Sequence, residues 1–445
     1  MSTVNPLAQA LNQKLEAASP EIFSMLSGLG KRLYFPKGIL TQGAEAKEKA
    51  KKINATIGIA TEGGAPMYLK SIHAMVSGVS PADAYTYAPP SGRAVLRDLW
   101  RKKVLKENPS LEGKTFGMPI VTSAITHGIA LAGDLFLDEG DVVVMPDQLW
   151  GNYRLAYEVR LGAKIETFPF FAGNGFNKEG FKACVDKQAA AQASAGRDKL
   201  VVLLNFPNNP TGYMPTEAEG DSIVESLLAR AKAGTKLVVL CDDAYFGLFF
   251  HIGGKSMTES LFGKLTNLHP NILAVKLDGA TKELFVWGLR CGCITFGPGK
   301  AEGAADVLEV LDHKIRGDIR AVVSNAPQLS QTLVEKALAS AGIDAERAEK
   351  CAILEARAKE VDKVARDAKY KDSWDVYAFN SGYFMLIKVK GVSAHKLREH
   401  LLDKHQVGLI STAETDLRVA FSCLEVGQVR ELFDTVHTAV GELRG

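Results

Sequence analysis

KLVVLLNFPNNPTG (residues 199–212) and KLVVLCDDAYFG (residues 236–247) follow one plan: a short Val/Leu run, then a sudden change to polar and turn-forming residues. An unbroken apolar run of this length fits a strand buried on both faces. VVVMP (142–146) and ILAVKL (272–277) repeat the pattern, and amphipathic stretches of helical length lie between several of the runs. That alternation predicts an α/β chain in which helices flank a mostly parallel sheet. The expected large domain covers residues 85–325. Residues 1–84 open with a predicted helix and then break at Pro36-Lys-Gly38. Residues 326–445 contain a long helical pattern (346–369) and the strand-like runs FMLIKV, VGLIS and LRVAFS. The two chain ends are expected to pack together as a smaller α+β unit.

Composition narrows the function classes. The 445 residues carry 53 basic and 51 acidic side chains, a formal charge of +2. So even a balance argues against a nucleic-acid or membrane-surface partner recruited by charge. No run reaches the roughly 18 apolar residues of a membrane helix. The opening MSTVNPLAQALNQ lacks a basic segment followed by an apolar one, so no signal peptide is expected and a cytoplasmic setting is. Cys291 and Cys293 have a single residue between them, which is not a usual zinc spacing. They read as small apolar strand residues, and no metal ligand is assigned.

Several side chains sit where ligands bind in open α/β sheets. Asp242 closes a buried run, and a carboxylate at the C-terminal end of such a strand faces the crevice. Asp243 is expected to face away, because neighbouring strand residues alternate. Tyr245 is three residues beyond Asp242, and Asn209 lies in the turn after 199–206. Lys282 lies in LDGATKELFVWGLRCGCITFG (277–297), eight residues before Arg290. A lysine that forms covalent imines must lose its proton easily, and a nearby cation helps. Arg290 could also grip a phosphate in a fork. In VTSAITHGIALAGDLFLDEGD (121–141), Thr122, Ser123 and Thr126 surround a predicted helix start, where free N–H groups favour an anion. Trp150 and Tyr153 follow VVVMP, and an aromatic there either stacks on a flat ligand or fills the core.

Together these segments resemble the class I aminotransferases, with the closest similarity in motif to the aspartate and aromatic aminotransferases. These have the fold type I architecture of pyridoxal phosphate enzymes. The resemblance runs from KINATIG (52–58) to LRVAFS (417–422) and holds for five motifs in order. It implies pyridoxal 5'-phosphate as cofactor and Lys282 as the Schiff-base lysine that moves the substrate proton. It implies Asp242 as partner of the pyridine nitrogen, and Asn209 and Tyr245 as partners of the ring hydroxyl. Arg290 then binds the phosphate, with Ala124, Ile125 and Thr126 as its loop, and Trp150 stacks on the ring. Tyr87 matches a tyrosine that reaches the phosphate of a neighbouring subunit, which implies a homodimer with shared sites. Arg418 matches the arginine for the substrate α-carboxylate; Asn209 and Gly58 line the same pocket.

Three positions depart from the family. The phosphate loop is Ala-Ile-Thr where small residues are common. Gly279 stands where relatives carry a phosphate-binding serine, and one extra residue separates Pro146 from Trp150. IRAVVSNAP (319–327) resembles the segment that carries an arginine for a second substrate carboxylate. Arg320 aligns with that role, and Arg316, four residues earlier, is the alternative. The expected activity is transfer of an amino group from an acidic or aromatic L-amino acid to a 2-oxo acid such as 2-oxoglutarate. A lyase or decarboxylase on the same scaffold, or a non-catalytic cofactor-binding regulator, is the rival reading. A nucleotide-binding α/β protein has no support, since neither GxGxxG nor GxxxxGK[ST] occurs where a strand meets a helix.

Overall fold

The computed structural model describes residues 5–36 and 38–445, so Met1–Val4 and Lys37, within the expected break at 36–38, lie outside the described residues. A seven-stranded sheet forms the centre. Its strands are β1 (Ile120–Thr122), β2 (Val142–Pro146), β3 (Lys164–Phe168), β4 (Lys199–Asn205), β5 (Lys236–Asp242), β6 (Ile272–Gly279) and β7 (Gly292–Gly297). Their spatial order is β1-β7-β6-β5-β4-β2-β3. All neighbouring pairs are parallel except those made by β7, which runs against both β6 and β1. The expected mostly parallel sheet is therefore present, with one reversed strand. The apolar runs are buried over nearly their whole length because helices cover both faces.

Six helices matter below: α1 (Ala94–Glu107), α2 (Ala124–Phe136), α3 (Ala304–Val322), α4 (Ile343–Ala365), α5 (Ala394–His405) and α6 (Val429–Arg444). A second, antiparallel sheet is built from β8 (Trp374–Val376), β9 (Phe384–Val389), β10 (Ile410–Ser411) and β11 (Asp416–Ala420), in the order β8-β9-β11-β10. The N-terminal segment reaches this second unit, as the sequence led us to expect. Ile53–Asn54 pairs in parallel with Val407–Gly408, and Lys49 pairs with Asp403 at 2.8 Å.

The joint between the two sheets fixes the site. Gly212, in the turn after β4, has φ +71°, and a Cβ there would run into the carbonyl oxygens of Ser381 and Phe384. Only glycine lets this loop press against the start of β9. The loop residue Asn209 is thereby carried toward Arg418 on β11.

Candidate active site

The C-terminal ends of β4, β5 and β6 open on a cavity of about 230 Å³, closed above by the second sheet. Eleven of the residues singled out in the sequence line it: Gly58, Ala124, Ile125, Thr126, Trp150, Asn209, Asp242, Tyr245, Lys282, Arg290 and Arg418. Tyr153, Asn205, Ala244, Thr281 and Phe384 complete the wall.

Lys282 stands on a single helical turn, Ala280–Glu283, directly after β6. Gly279 makes that turn possible. A Cβ on it would come within 2.8 Å of the Gly292 Cα and 2.9 Å of the Cys291 carbonyl oxygen on the opposing strand. At 279, where the sequence departs from the serine of relatives, a larger residue would meet the opposing strand. The Lys282 ammonium lies 4.8 Å from the centre of the Tyr245 ring. Burial pulls its pKa down to about 8; the Asp242 charge opposes the shift and Arg290 adds to it.

Asp242 is buried. Its Oδ2 accepts a hydrogen bond from the Tyr153 hydroxyl at 2.5 Å, and its Oδ1 accepts one from the Ala244 amide at 3.1 Å. Burial raises its pKa, against the lowering effects of Tyr153 and Lys282. Asp243 turns to the other face, as alternation requires, and forms an ion pair with Lys276. The Asn205 amide donates to the Asp242 carbonyl at 2.9 Å and accepts from the Asn209 amide N–H at 2.8 Å.

Arg418 sits at the opposite end. Its Nη1 donates to Asn209 Oδ1 at 3.1 Å and its Nη2 to the Thr56 carbonyl at 2.8 Å. The guanidinium carbon lies 4.1 Å from the centre of the Phe384 ring, a neighbour on the same sheet face. Its Nε has no partner, and among the described residues no carboxylate pairs with it. Burial lowers its pKa to about 10. A buried cation left this way calls for an anion.

A second anion place lies at the start of α2. Ser123 makes no side-chain cap, and Ala124 takes a left-handed φ of 65°. Gly292 allows the approach, since a Cβ there would come within 2.8 Å of the Ala124 carbonyl carbon and 2.9 Å of the Ile125 nitrogen. The free N–H groups of this first turn, the Thr281 side chain and Arg290 share one wall. Arg290 bonds only to the Trp287 carbonyl, at 3.1 Å, and has no acidic partner among the described residues.

Tyr87 and Arg320 are not brought to the cavity within one chain. Tyr87 is 89% exposed. Arg320 bonds to Ser324 on the outer side of α3, and Arg316 pairs with Asp312 at 2.6 Å. Sequence reasoning noticed Tyr153 only as an aromatic and did not find its bond to Asp242. Its signal was its place three residues after Trp150, across a turn in which the Tyr153 N–H donates to the Trp150 carbonyl at 3.0 Å and the two rings meet edge to face, 5.6 Å apart.

The donor set fits pyridoxal phosphate. It offers an amine for an aldehyde, a carboxylate for a ring nitrogen, a cationic wall with no acid for a phosphate, and an aromatic beside them. Strand order and site together define a fold type I pyridoxal phosphate enzyme. The chain belongs to the aminotransferase class I and II family, whose description matches residues 78–436, and is a pyridoxal phosphate-dependent aminotransferase. It is 24% identical over 354 residues to the cytoplasmic aspartate aminotransferase of Schizosaccharomyces pombe, covering 76% of this chain and 81% of that one. It is 26% identical over 301 residues to the tyrosine aminotransferase of Klebsiella pneumoniae, covering 66% and 69%. Among solved structures, an aminotransferase from Anaerococcus prevotii matches with a TM-score of 0.79 at 23% identity, over 93% of this chain and 98% of that one.

Tyr153→Phe removes a hydrogen bond to a buried carboxylate. Leaving such an oxygen unpaired costs about 1–3 kcal/mol. We expect kcat to fall about tenfold, with a smaller change in KM and the cofactor's visible absorbance retained. Unchanged kcat across the pH range would show that Tyr153 does not hold Asp242.

Proposed function

We propose that this enzyme takes the amino group of an acidic or aromatic L-amino acid and passes it to a 2-oxo acid such as 2-oxoglutarate, working as a homodimer. The observation that carries the reading is Arg418, a buried guanidinium with an unpartnered Nε, facing the same cavity as Lys282. It suits the α-carboxylate every amino acid carries, and it would hold the α-C–H bond near the lysine amine. When bound, the cofactor supplies a carbonyl to take up the amino group and a ring to accept the electrons released at the α-carbon. In this proposal Lys282 Nζ takes the α-proton and returns it. A pKa near 8 keeps a useful fraction of that amine neutral. Asp242 keeps negative charge at the ring-nitrogen end, and Asn209 and Tyr245 reach the ring hydroxyl. Arg290, Thr281 and the first turn of α2 hold the phosphate, and Trp150 covers a ring face.

Two features support the choice of donors. Relatives named for aspartate and for tyrosine both match this chain. Beside Arg418 lies the Phe384 ring, and Gly58 faces that ring, a surface that suits an aromatic side chain. A second carboxylate would be met by Arg320 or Arg316 from a second copy of the chain, which would also bring Tyr87 to the phosphate. The division into 1–84, 85–325 and 326–445 is part of the same proposal, supported by the large sheet lying wholly within 120–297 and the small one within 374–420. Six unpaired thiols suit a reducing, cytoplasmic setting.

A half-reaction screen tests the donors. Cofactor-loaded enzyme mixed with single L-amino acids should lose its visible absorbance with aspartate, glutamate, tyrosine or phenylalanine. Arg320→Ala or Arg316→Ala should then lower kcat/KM for the dicarboxylic donors at least about tenfold and spare the aromatic ones. Reaction only with sulfur-containing or branched donors would overturn the assignment.

A further inference from the structure

Outside the cavity, one group of side chains among the described residues has the chemistry of a metal-ligand site. His400 and His405 lie on α5, and Glu442 reaches them from α6. His400 Nε2 stands 2.6 Å from Glu442 Oε2, and His405 Nε2 stands 2.9 Å from the same oxygen. All three ligand atoms lie within 4.8 Å of one another. His405 is the last residue of α5, because Gln406 turns left-handed at φ 57° and ends the helix. Five residues of helix would normally separate two side chains by about 140°. They meet here because α6 packs against α5 and Glu442 comes between them. Both imidazoles are mostly covered, with side-chain exposures of 24% and 19%. They are therefore held in place, and binding an ion would order little that is not already ordered.

We propose that His400 Nε2, His405 Nε2 and Glu442 Oε2 form a site for a divalent transition-metal ion of the zinc type, clipping α5 to α6. Two imidazoles and one carboxylate form a three-ligand set for zinc, with water as the fourth ligand. Nitrogen donors select zinc, nickel or copper over magnesium and calcium. The two spacings to Glu442 are hydrogen-bond lengths, and the two imidazole nitrogens lie within 4.8 Å of each other. Around a tetrahedral ion with bonds of about 2.0–2.1 Å, neighbouring donors stand roughly 3.3 Å apart. Small side-chain rotations cover that difference. Glu442 has its other oxygen, Oε1, on Lys404 at 2.8 Å. Lys404 thus fixes the carboxylate as an outer partner and leaves Oε2 for the ion. Each ring must present its Nε2 lone pair to the ion, so its N–H proton sits on Nδ1.

The test uses the full-length, cofactor-loaded enzyme, cleared of metal with EDTA and titrated calorimetrically with zinc chloride. One equivalent should bind per chain, and saturation should raise Tm by at least about 2 °C, reversibly on adding EDTA. The double variant His400→Ala/His405→Ala should lose that equivalent or bind it at least about tenfold more weakly. Glu442→Gln should behave likewise, and its retained cofactor absorbance serves as the check on folding. Turnover should be unchanged in each, because none of the three lines the cavity. Zinc binding by the double variant with wild-type affinity and stoichiometry would place the ion on other residues, such as the cysteines, and overturn the site. No binding by the wild type would do the same.

Discussion

Lys282→Ala should leave a folded, cofactor-binding protein with no visible absorbance band and turnover reduced by about 10⁴-fold or more. The size follows from what the side chain alone can do at its position. Three lysines cluster around β6, with Lys276 on the strand, Lys103 on α1 and Lys282 in the turn that follows, and two of them are committed to ion pairs. Lys276 pairs with Asp243 and Asp278, and these charges outweigh burial and raise its pKa. Lys103 pairs with Glu107 and Glu283 and is raised as well. Lys282 has no such partner and is pulled down to about 8. It is the one lysine of the three that lines the cavity. An amine must be unprotonated to attack a carbonyl, so the ion-paired lysines cannot replace it near neutral pH. For the same reason, reloading of the apoenzyme with cofactor should speed up as pH rises toward 8 and level off above it. A variant that keeps the visible band would prove that another amine carries the link. Loss of the band together with a collapsed melting curve would make the lysine structural, and the Lys282 amine, which lines the cavity and forms no ion pair among the described residues, argues against that.

Part of this site was legible from rules that act along the chain, while Gly58, Ala124, Ile125 and Arg418 came only from the family resemblance. Asp242 could be separated from Asp243 by alternation alone, and the structure puts one in the cavity and the other against Lys276. The start of α2 could be read from a strand followed by a turn and a helical pattern, but not that Ser123 leaves it uncapped. What could not be read depends on contacts between distant segments. Gly279 read as a lost phosphate ligand, whereas its role is to let β6 pass Gly292 on β7, and nothing near 279 reports how close that strand comes. The Tyr153 bond to Asp242 spans 89 residues. Asn205 became a site residue only through its register opposite Asp242. Tyr87 and Arg320 do not line the cavity of one chain, and their proposed roles would call on a second copy.

Asp242→Asn should lower kcat by about 10²–10³-fold and leave the apoprotein as stable as the wild type or more so. The activity loss is electrostatic. The substitution keeps the shape and an oxygen for the Tyr153 hydroxyl, gives up only the longer 3.1 Å bond from the Ala244 amide, and removes the negative charge that the proposed role sets at the ring nitrogen. Preorganised groups of this kind are worth about 10²–10³ in turnover inside a dry site. The stability half follows from linkage. Burial raises the Asp242 pKa in the folded chain, and Tyr153 and Lys282 recover only part of the shift. A carboxyl whose folded pKa exceeds its unfolded one binds more protons when folded, between the two values. Stability therefore falls as pH rises through that window, and the loss persists at neutral pH. Asparagine has no such ionisation, so the variant's apo Tm should match or exceed that of wild type near pH 7. The difference should shrink in acid, where Asp242 is protonated in both states. The site thus keeps a destabilising charge because catalysis needs it, a common exchange at active sites. Parallel melting curves and steady-state assays at several pH values decide the matter. If Tm at neutral pH drops by several degrees along with kcat, the carboxylate chiefly secures Tyr153 and the strand end, and its electrostatic role would have to be abandoned.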